Sequence, residues 1–228
     1  MAIPQTTSPD VGSLVDAAYQ SIRRRILDNV WAPGYQALEQ EIALLLGMSR
    51  TPVREALIRL SQESLVEVVP RRGMRVLPVS PNDMKEIYEI LTALESMAAE
   101  LLAARKPSEA ELKPLIAATN EMAKALEKND LDAWAAADEL FHARLVTMAG
   151  NKKLLDAVMS FWDRAHRARM FTLRLRQPPE NSTKEHMALV DRIRQGDPAG
   201  AAAVNREHRQ RAGRELVVIF EKYRFQQL

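Results

Sequence analysis

A short amphipathic helix that begins near residue 49 is the clearest periodic pattern in the chain. Its apolar residues recur at i, i+3, i+4 and i+7, the spacing that buries one helix face; they are Val53, Ala56, Leu57 and Leu60. Ser49 or Thr51 is suited to cap the start, and Pro52 is tolerated in a first turn whose N–H groups lack helical partners. Arg50 and Arg54 lie four residues apart and therefore share a different, outward face.

The segments on either side of this helix extend the pattern. Residues 38–46 predict another helix, which Gly47 ends, so that a helix, a short glycine-containing turn and a second helix follow one another. Residues 65–69 and 74–79 are β-branched runs joined by a proline- and glycine-containing turn at 70–73, which predicts a β-hairpin. Together these elements predict a winged helix-turn-helix.

Basic residues lie where this arrangement is expected to face outwards. Arginine and threonine at a helix N-terminus suit phosphates and base edges, and the hairpin tip carries two arginines at 71–72. Residues 13–29 predict a first helix with three further arginines at 23–25. Taken alone, each group is also explained by simple solvation. Beside a wing, however, we expect DNA contacts from Ser49, Arg50, Thr51, Arg54, Arg72 and Gly73.

From residue 81 onwards the apolar spacing is helical, and no segment predicts a strand. Proline, glycine and asparagine breaks separate six predicted helices at 82–106, 108–127, 131–149, 151–176, 183–195 and 198–223. Short connections between long helices favour an antiparallel all-α bundle, so the predicted fold class is mainly α. The expected domains are a disordered polar tail at 1–12, a winged helix-turn-helix at 13–79 and a helical domain at 82–228.

Composition narrows the class of protein. Cysteine is absent, which excludes a disulfide framework and thiolate metal sites and fits an intracellular protein. No apolar run approaches the ~20 residues of a membrane span, and the first residues lack a signal pattern. The net charge is only +2, so a nucleic-acid surface would have to be local. We therefore expect a cytoplasmic protein that does not contact membranes.

Residues 14–79 resemble the winged helix-turn-helix domain of GntR-type bacterial transcription regulators. The run SRTPVREAL at 49–57 is highly specific for that family. Ser64 departs from the family pattern, which usually has glycine before the first wing strand, and Gln40 replaces an arginine found in some relatives. The resemblance implies double-stranded DNA as a partner. Because each chain has a single helix-turn-helix, we expect a homodimer on an inverted-repeat operator.

The four histidines of the chain raise the question of a second site. Asp138 and His142 are spaced i, i+4 and project from one helix face, while His186 and His208 fall on the last two predicted helices. Three helices of a bundle can bring these groups to one point, and imidazole nitrogens with one carboxylate suit Zn²⁺, Ni²⁺, Mn²⁺ or Fe²⁺. From the residues alone, each histidine is more simply explained as a core or surface residue.

Residues 82–222 are similar to the all-helical FCD-type ligand-binding domain of the FadR branch of GntR regulators. The segment DELFH at 138–142 and the two later EH pairs carry this similarity. It implies that a divalent transition metal, with zinc favoured over nickel, manganese or iron, is held by Asp138, His142, His186 and His208. His166 matches no ligand position and is expected to line the cavity or to pack near the surface.

One departure from the FCD pattern bears on the ligand. Leu91 stands where relatives commonly carry an arginine, which can pair with a carboxylate of the effector. Arg164, Arg167 and Arg169 are candidates to replace it, and we favour Arg164 and Arg169. A solvated helix face is the alternative for each of them.

The expected function is a DNA-binding transcription regulator, with repression favoured over activation. A small organic acid bound at the metal would modulate its binding to the operator. The alternative is a metal-dependent enzyme acting on a small organic or sugar acid, although no general base is evident near the ligands. A third reading, a purely structural metal in an interaction module, predicts that no small molecule alters DNA binding.

Overall fold

The computed structural model describes residues 11–69 and 72–223 and divides the chain into two compact units, Met1–Pro78 and Val79–Leu228. The first unit contains α1 (Val11–Leu27), β1 (Gln36–Ala37), α2 (Glu39–Leu46), α3 (Arg50–Gln62), β2 (Val66–Val69) and β3 (Gly73–Val76). The first helix begins two residues before its predicted start, so residues 11–12 of the expected tail are helical. The rest of that tail lies outside the described residues, as does the predicted wing-tip residue Arg71.

The core of the first unit forms where α3 packs against α1 and α2. The four apolar residues of α3 that share one face are fully buried, as their spacing predicts. Gly47 ends α2 in the left-handed conformation, φ +64°, which glycine adopts without a steric penalty. Ser49 occupies the N-cap position of α3, but neither it nor Thr51 supplies the expected capping bond: Ser49 makes none, and Thr51 lies inside the helix.

Three antiparallel strands form the wing within the described residues, in the order β1-β3-β2. The sequence did not indicate β1, because two residues are too few to show an alternating pattern. Val66 pairs with Val76, and Gln36 pairs with Arg75. The turn before β2 keeps a left-handed residue, since Ser64 has φ +56° where relatives usually have glycine. The departure therefore leaves the turn in place and adds backbone strain.

Long helices make up the whole described part of the second unit. They are α4 (Pro81–Ala104), α5 (Glu109–Glu127), α6 (Leu131–Met148), α7 (Lys152–Thr172), α8 (Glu180–Arg194) and α9 (Pro198–Lys222). The Ser80 hydroxyl caps α4 by accepting a bond from the Asp83 N–H at 3.0 Å. A 3-10 turn at Leu173–Leu175 follows α7, which ends four residues earlier than predicted. None of the described helices combines the length and apolarity that a membrane crossing demands.

The start of α8 differs from the prediction because of a contact between two helices. Thr183 was expected at the cap, but the helix begins at Glu180 and Thr183 lies within its first turn. Its hydroxyl accepts a bond from the indole N–H of Trp134 on α6 at 2.9 Å. The polar side chain that suggested a cap therefore serves a contact between helices.

Two glycines in the first unit allow the effect of backbone strain to be separated from that of steric overlap. Gly73 and Gly34 both have positive φ, +79° and +82°. A Cβ at Gly73 would lie 2.1 Å from the carbonyl oxygen of Ala37, whereas a Cβ at Gly34 would meet nothing within 4 Å. Gly34→Ala should lower the free energy of unfolding by about 1–2 kcal/mol, from strain alone. Gly73→Ala should lower it by more, since β1 or β3 must shift, and urea denaturation of both variants measures the difference. Equal losses would contradict the overlap.

Candidate metal centre and nucleic-acid surface

Three histidines from three helices meet in the core of the second unit. His142 on α6 and His186 on α8 place their Nε2 atoms 3.1 Å apart, and the His208 ring on α9 lies 4.4 Å from that of His186 between centroids. One ring nitrogen from each of the three lies within 4.8 Å of the others. All three side chains are buried. The last predicted ligand, Asp138, joins them, with its Oδ1 3.5 Å from His186 Nε2 and 3.7 Å from His142 Nε2.

A carboxylate or carbonyl oxygen lies against the other nitrogen of each ring. Glu95 Oε2 is 2.9 Å from His142 Nδ1, at an angle off the line of a well-aligned hydrogen bond. Glu185 Oε2 is 2.7 Å from His208 Nδ1, and the carbonyl of Ser182 accepts from His186 Nδ1. This pattern assigns the proton of each ring to Nδ1 and turns the lone pair of Nε2 towards the other rings, as in metal-binding histidines.

Arginines hold two of these carboxylates. Glu95 on α4 accepts from Arg209 on α9, with Arg209 Nε 2.9 Å from Oε2, and both side chains are almost fully buried. Burial opposes the ionisation of Glu95, but Arg209 and His142 outweigh it and lower the pKa to about 2. Arg211 holds Glu185 in the same way, with Nε 2.7 Å from Oε1. The chain thus fixes its histidines through charged pairs that the sequence analysis did not identify.

Electrostatics favour the metal-binding, neutral form of two of these histidines. Burial and the neighbouring rings lower the pKa of His186 well below its usual range, and burial lowers the pKa of His208. Burial acts to raise the pKa of Asp138, but contacts with His142 and His186 bring it well below the usual value. Neutral imidazoles and an ionised carboxylate are the donors that a divalent transition metal requires. The residues present therefore fit such an ion.

A narrow cavity of about 30 Å³ adjoins the cluster. Among the arginines proposed from sequence, Arg169 lines it, whereas Arg164 does not and lies over the ring of Phe161 at 5.5 Å. His166 also lines it, with Nδ1 3.2 Å from Glu139 Oε2. Leu91 is buried elsewhere in the core. Lining residues that the sequence analysis did not single out include Tyr88, Trp134, Arg176 and Arg209.

The first unit presents three of its predicted DNA-binding residues around one groove. Arg50 and Arg54 are exposed and border a groove that Gly73 of the wing also lines. The Glu39 carboxylate of α2 lies between the two guanidinium groups, 3.8 Å from Arg50 Nη2 and 3.9 Å from Arg54 Nε. Glu39 therefore limits the directions in which both arginines extend. Ser49, Thr51 and Arg72 are exposed as well.

Comparison with known proteins gives two family matches. Over residues 14–76 the sequence matches the bacterial regulatory proteins of the gntR family, and over residues 86–211, more than half of the chain, it matches the FCD domain. The two matches cover the two compact units in turn.

Individual relatives agree with these matches. An HTH-type transcriptional regulator in the TAR-I ttuE-ttuC' intergenic region of Agrobacterium vitis is 53% identical over 137 residues, which cover 59% of this chain and 80% of the relative. The transcriptional repressor RspR of Escherichia coli is 27% identical over 192 residues, or 84% of each chain. The structure of E. coli McbR/YncC superimposes with a TM-score of 0.76 at 23% identity, over 92% of this chain and 98% of that one, which shows the shared fold.

The buried Glu95–Arg209 pair yields a stability prediction. Arg209→Met should lower the free energy of unfolding by about 3–5 kcal/mol, because it leaves a buried carboxylate without its cation. Glu95→Leu combined with Arg209→Met should recover much of that loss. Arg174→Met is the matched control, since the Arg174–Asp132 pair is exposed, and should change stability by less than ~0.5 kcal/mol. Urea denaturation in the presence of EDTA measures all three, and similar losses for Arg209→Met and Arg174→Met would contradict the account.

Proposed function

Because the chain belongs to the GntR family of bacterial transcription regulators and carries an FCD domain, we propose that a small organic acid, bound at a metal centre in that domain, controls its binding to DNA. The matched families and relatives are regulators and not enzymes, so the chain is not an enzyme. One observation carries the proposal: three imidazoles and a carboxylate, drawn from three helices, converge in the core with their metal-binding atoms facing one another.

The ligands of this ion are Asp138, His142, His186 and His208, and Zn²⁺ suits them best, with Ni²⁺, Mn²⁺ or Fe²⁺ as alternatives. When bound, the metal supplies Lewis-acid positions for a carboxylate or hydroxyl oxygen. Around it, Glu95, Glu185 and the Ser182 carbonyl hold the rings in register. Trp134 and Tyr88 enclose the cavity, and Arg169 gives it a cationic side.

A ligand at this site alters DNA binding only if it binds two arrangements of the protein with different affinity. The acid therefore has to favour either the arrangement that binds DNA or the one that does not. A purely structural metal lacks this property, and an operator titration with and without acid separates the two roles. Repression is the favoured outcome, supported by the repressor named among the relatives.

DNA recognition falls to the surface built on α3 and the wing. Arg50, Thr51 and Arg54 at the start of α3 contact base edges and phosphates in the major groove, and Ser49, Arg72 and Gly73 contact the backbone. The charge balance of the chain, only +2, restricts the basic footprint to this surface. The regulator acts as a cytoplasmic homodimer on an inverted repeat, since each chain reads one half-site.

Removal of one arginine tests the DNA surface. Arg54→Ala should weaken operator binding roughly tenfold or more, because a bidentate arginine–guanine contact is worth ~1–3 kcal/mol. Arg206→Ala removes the same charge from an exposed position on α9 and should leave the affinity nearly unchanged. Fluorescence anisotropy with operator DNA measures both. At protein concentrations above the dissociation constant, the same titration should give two chains per operator. One chain per operator would refute the homodimer. Equal effects of the two substitutions would refute the assigned DNA surface.

Metal content tests the proposed centre. Purified protein should contain about one first-row transition metal per chain, and His142→Ala combined with His186→Ala should abolish this content. His166 lines the same cavity but is not a proposed ligand, so the His166→Ala variant should retain the metal. Metal should also be lost on acidification, but only well below pH ~6.5, because burial lowers the pKa of His186 and of His208. Elemental analysis decides the matter, and an unchanged metal content in the double variant would show that the ligands are wrongly assigned.

A further inference from the structure

The cavity beside the histidine cluster has a second polar side, formed by Arg169, Arg176 and Tyr88. Arg176 donates to the Arg169 carbonyl at 2.9 Å and to the Thr172 hydroxyl at 2.8 Å, while the Arg169 guanidinium lies 5.5 Å from the ring of Trp162. Among the described residues, neither guanidinium has a carboxylate oxygen within ion-pair distance. Both cations therefore lie at the cavity without a direct ion pair, and Asp138, Glu139 and Glu215 act on them only from a longer distance.

Tyr88 places an unused hydrogen-bond donor at the same side. Its side chain is 4% exposed, and its hydroxyl is buried without a hydrogen-bond partner in the part of the chain that the structure describes. A buried hydroxyl is rarely left in that condition, so its presence in a cavity wall points to an acceptor that arrives with a ligand. Tyr88, Arg176 and Arg209 all line this cavity.

The packing of α9 against α4 fixes the position of Tyr88. A Cβ at Gly213 would lie 3.0 Å from Cδ1 and 3.2 Å from Cβ of Tyr88, which is tighter than ordinary contact. Glycine at this position thus allows the helix backbone to pack directly against the tyrosine ring. The hydroxyl is held in place by this contact before any ligand binds.

Two of the other carboxylates around the cavity are neutralised by arginines. Glu95 is paired with Arg209 and Glu185 with Arg211, whereas Glu139 lies against His166 and accepts from the Trp162 indole. Arg169, Arg176 and a divalent metal together still carry more positive charge than Asp138 and Glu139 carry negative charge. Such a site favours a ligand with two negative groups over a ligand with one.

We propose that the effector is a small diacid, whose first carboxylate binds at the histidine–aspartate cluster and whose second accepts from Tyr88, Arg169 and Arg176. Because the cavity measures only about 30 Å³, its walls must move outwards to admit such a ligand. This inference rests on the proposed function, because it assigns the first carboxylate to the metal centre. It goes further in stating that the acid is dianionic and in naming the residues that recognise its far end. Arg169 and Arg176 also supply the cationic contact that the uncharged side chain of Leu91 cannot make.

Matched pairs of acids test the charge of the ligand. L-malate and 2-hydroxybutyrate differ only in the far carboxylate, which is a methyl group in the second acid, and succinate and butyrate form a second such pair. Each acid is titrated by calorimetry into full-length protein whose metal content has been measured. At least one diacid should bind roughly tenfold or more tightly than its monoacid partner, as expected for charge-assisted hydrogen bonds in a buried site.

Substitutions locate the preference within the cavity. Tyr88→Phe and Arg176→Met should each reduce the preference for the diacid roughly tenfold while leaving the affinity for the monoacid and the metal content unchanged. Arg174→Met is the matched control, because Arg174 lies on the same 3-10 turn as Leu173 but is exposed and paired with Asp132. It should keep the preference. Arg176→Lys, which retains a cation, should keep part of it and guards against misfolding of the methionine variant.

The possible failures are distinguishable. Equal binding of diacid and monoacid by metal-loaded protein would overturn this inference and leave the metal-centred function intact. Failure of all four acids to bind metal-loaded protein would also overturn it. Equal binding of an acid by metal-loaded and metal-free protein would instead overturn the metal-centred function. A diacid preference that survives both Tyr88→Phe and Arg176→Met would refute the assigned residues.

Discussion

The helical domain depends on keeping three imidazoles and one carboxylate together in a buried core. Imidazoles at this depth resist protonation, and a carboxylate would resist ionisation without neighbours that favour its charge. The structure meets both demands with a second layer, in which Glu95, Glu185 and the Ser182 carbonyl hold the outer nitrogens. Arg209 and Arg211 in turn hold the two carboxylates. Each layer is stable only in the presence of the next, so α4, α6, α8 and α9 are coupled through one polar network.

In the DNA-binding unit, residues that are close together in the sequence position the side chains proposed to contact DNA. Gly47 turns the chain between α2 and α3, and the buried face of α3 fixes the rotation of that helix about its axis. Arg50 and Arg54 must then extend from the opposite face, where Glu39 restrains them. The spacing of the four apolar residues thus determines which side chains are available for the proposed base contacts. In both units, the side chains proposed to bind a ligand are positioned by other residues that do not contact that ligand.

The sequence predicted the features that depend on local periodicity. The buried face of α3 and the order of the helices agree with the structure. The grouping of Asp138 with the three histidines was expected only from the resemblance to the FCD domain, because no local pattern links the three helices. The sequence did not reveal the Glu95–Arg209 pair, whose members are 114 residues apart, because no short-range pattern links them. Strand β1 was missed because it has only two residues, and the start of α8 was misplaced because Thr183 bonds to Trp134. Arg176 and Tyr88 were overlooked since neither belongs to a motif, and only the fold brings them to the cavity.

Linkage between acid and operator is the most direct test of the claim that the metal-centred cavity controls DNA binding. If the acid changes the affinity for operator DNA by some factor, operator DNA must change the affinity for the acid by the same factor. Calorimetric titration of metal-loaded protein with its tightest diacid, in the presence and absence of saturating operator, measures the second factor, and anisotropy measures the first. The account predicts two equal factors, roughly 5-fold to 150-fold, the range typical of allosteric coupling. An acid affinity that is the same with and without operator would contradict it.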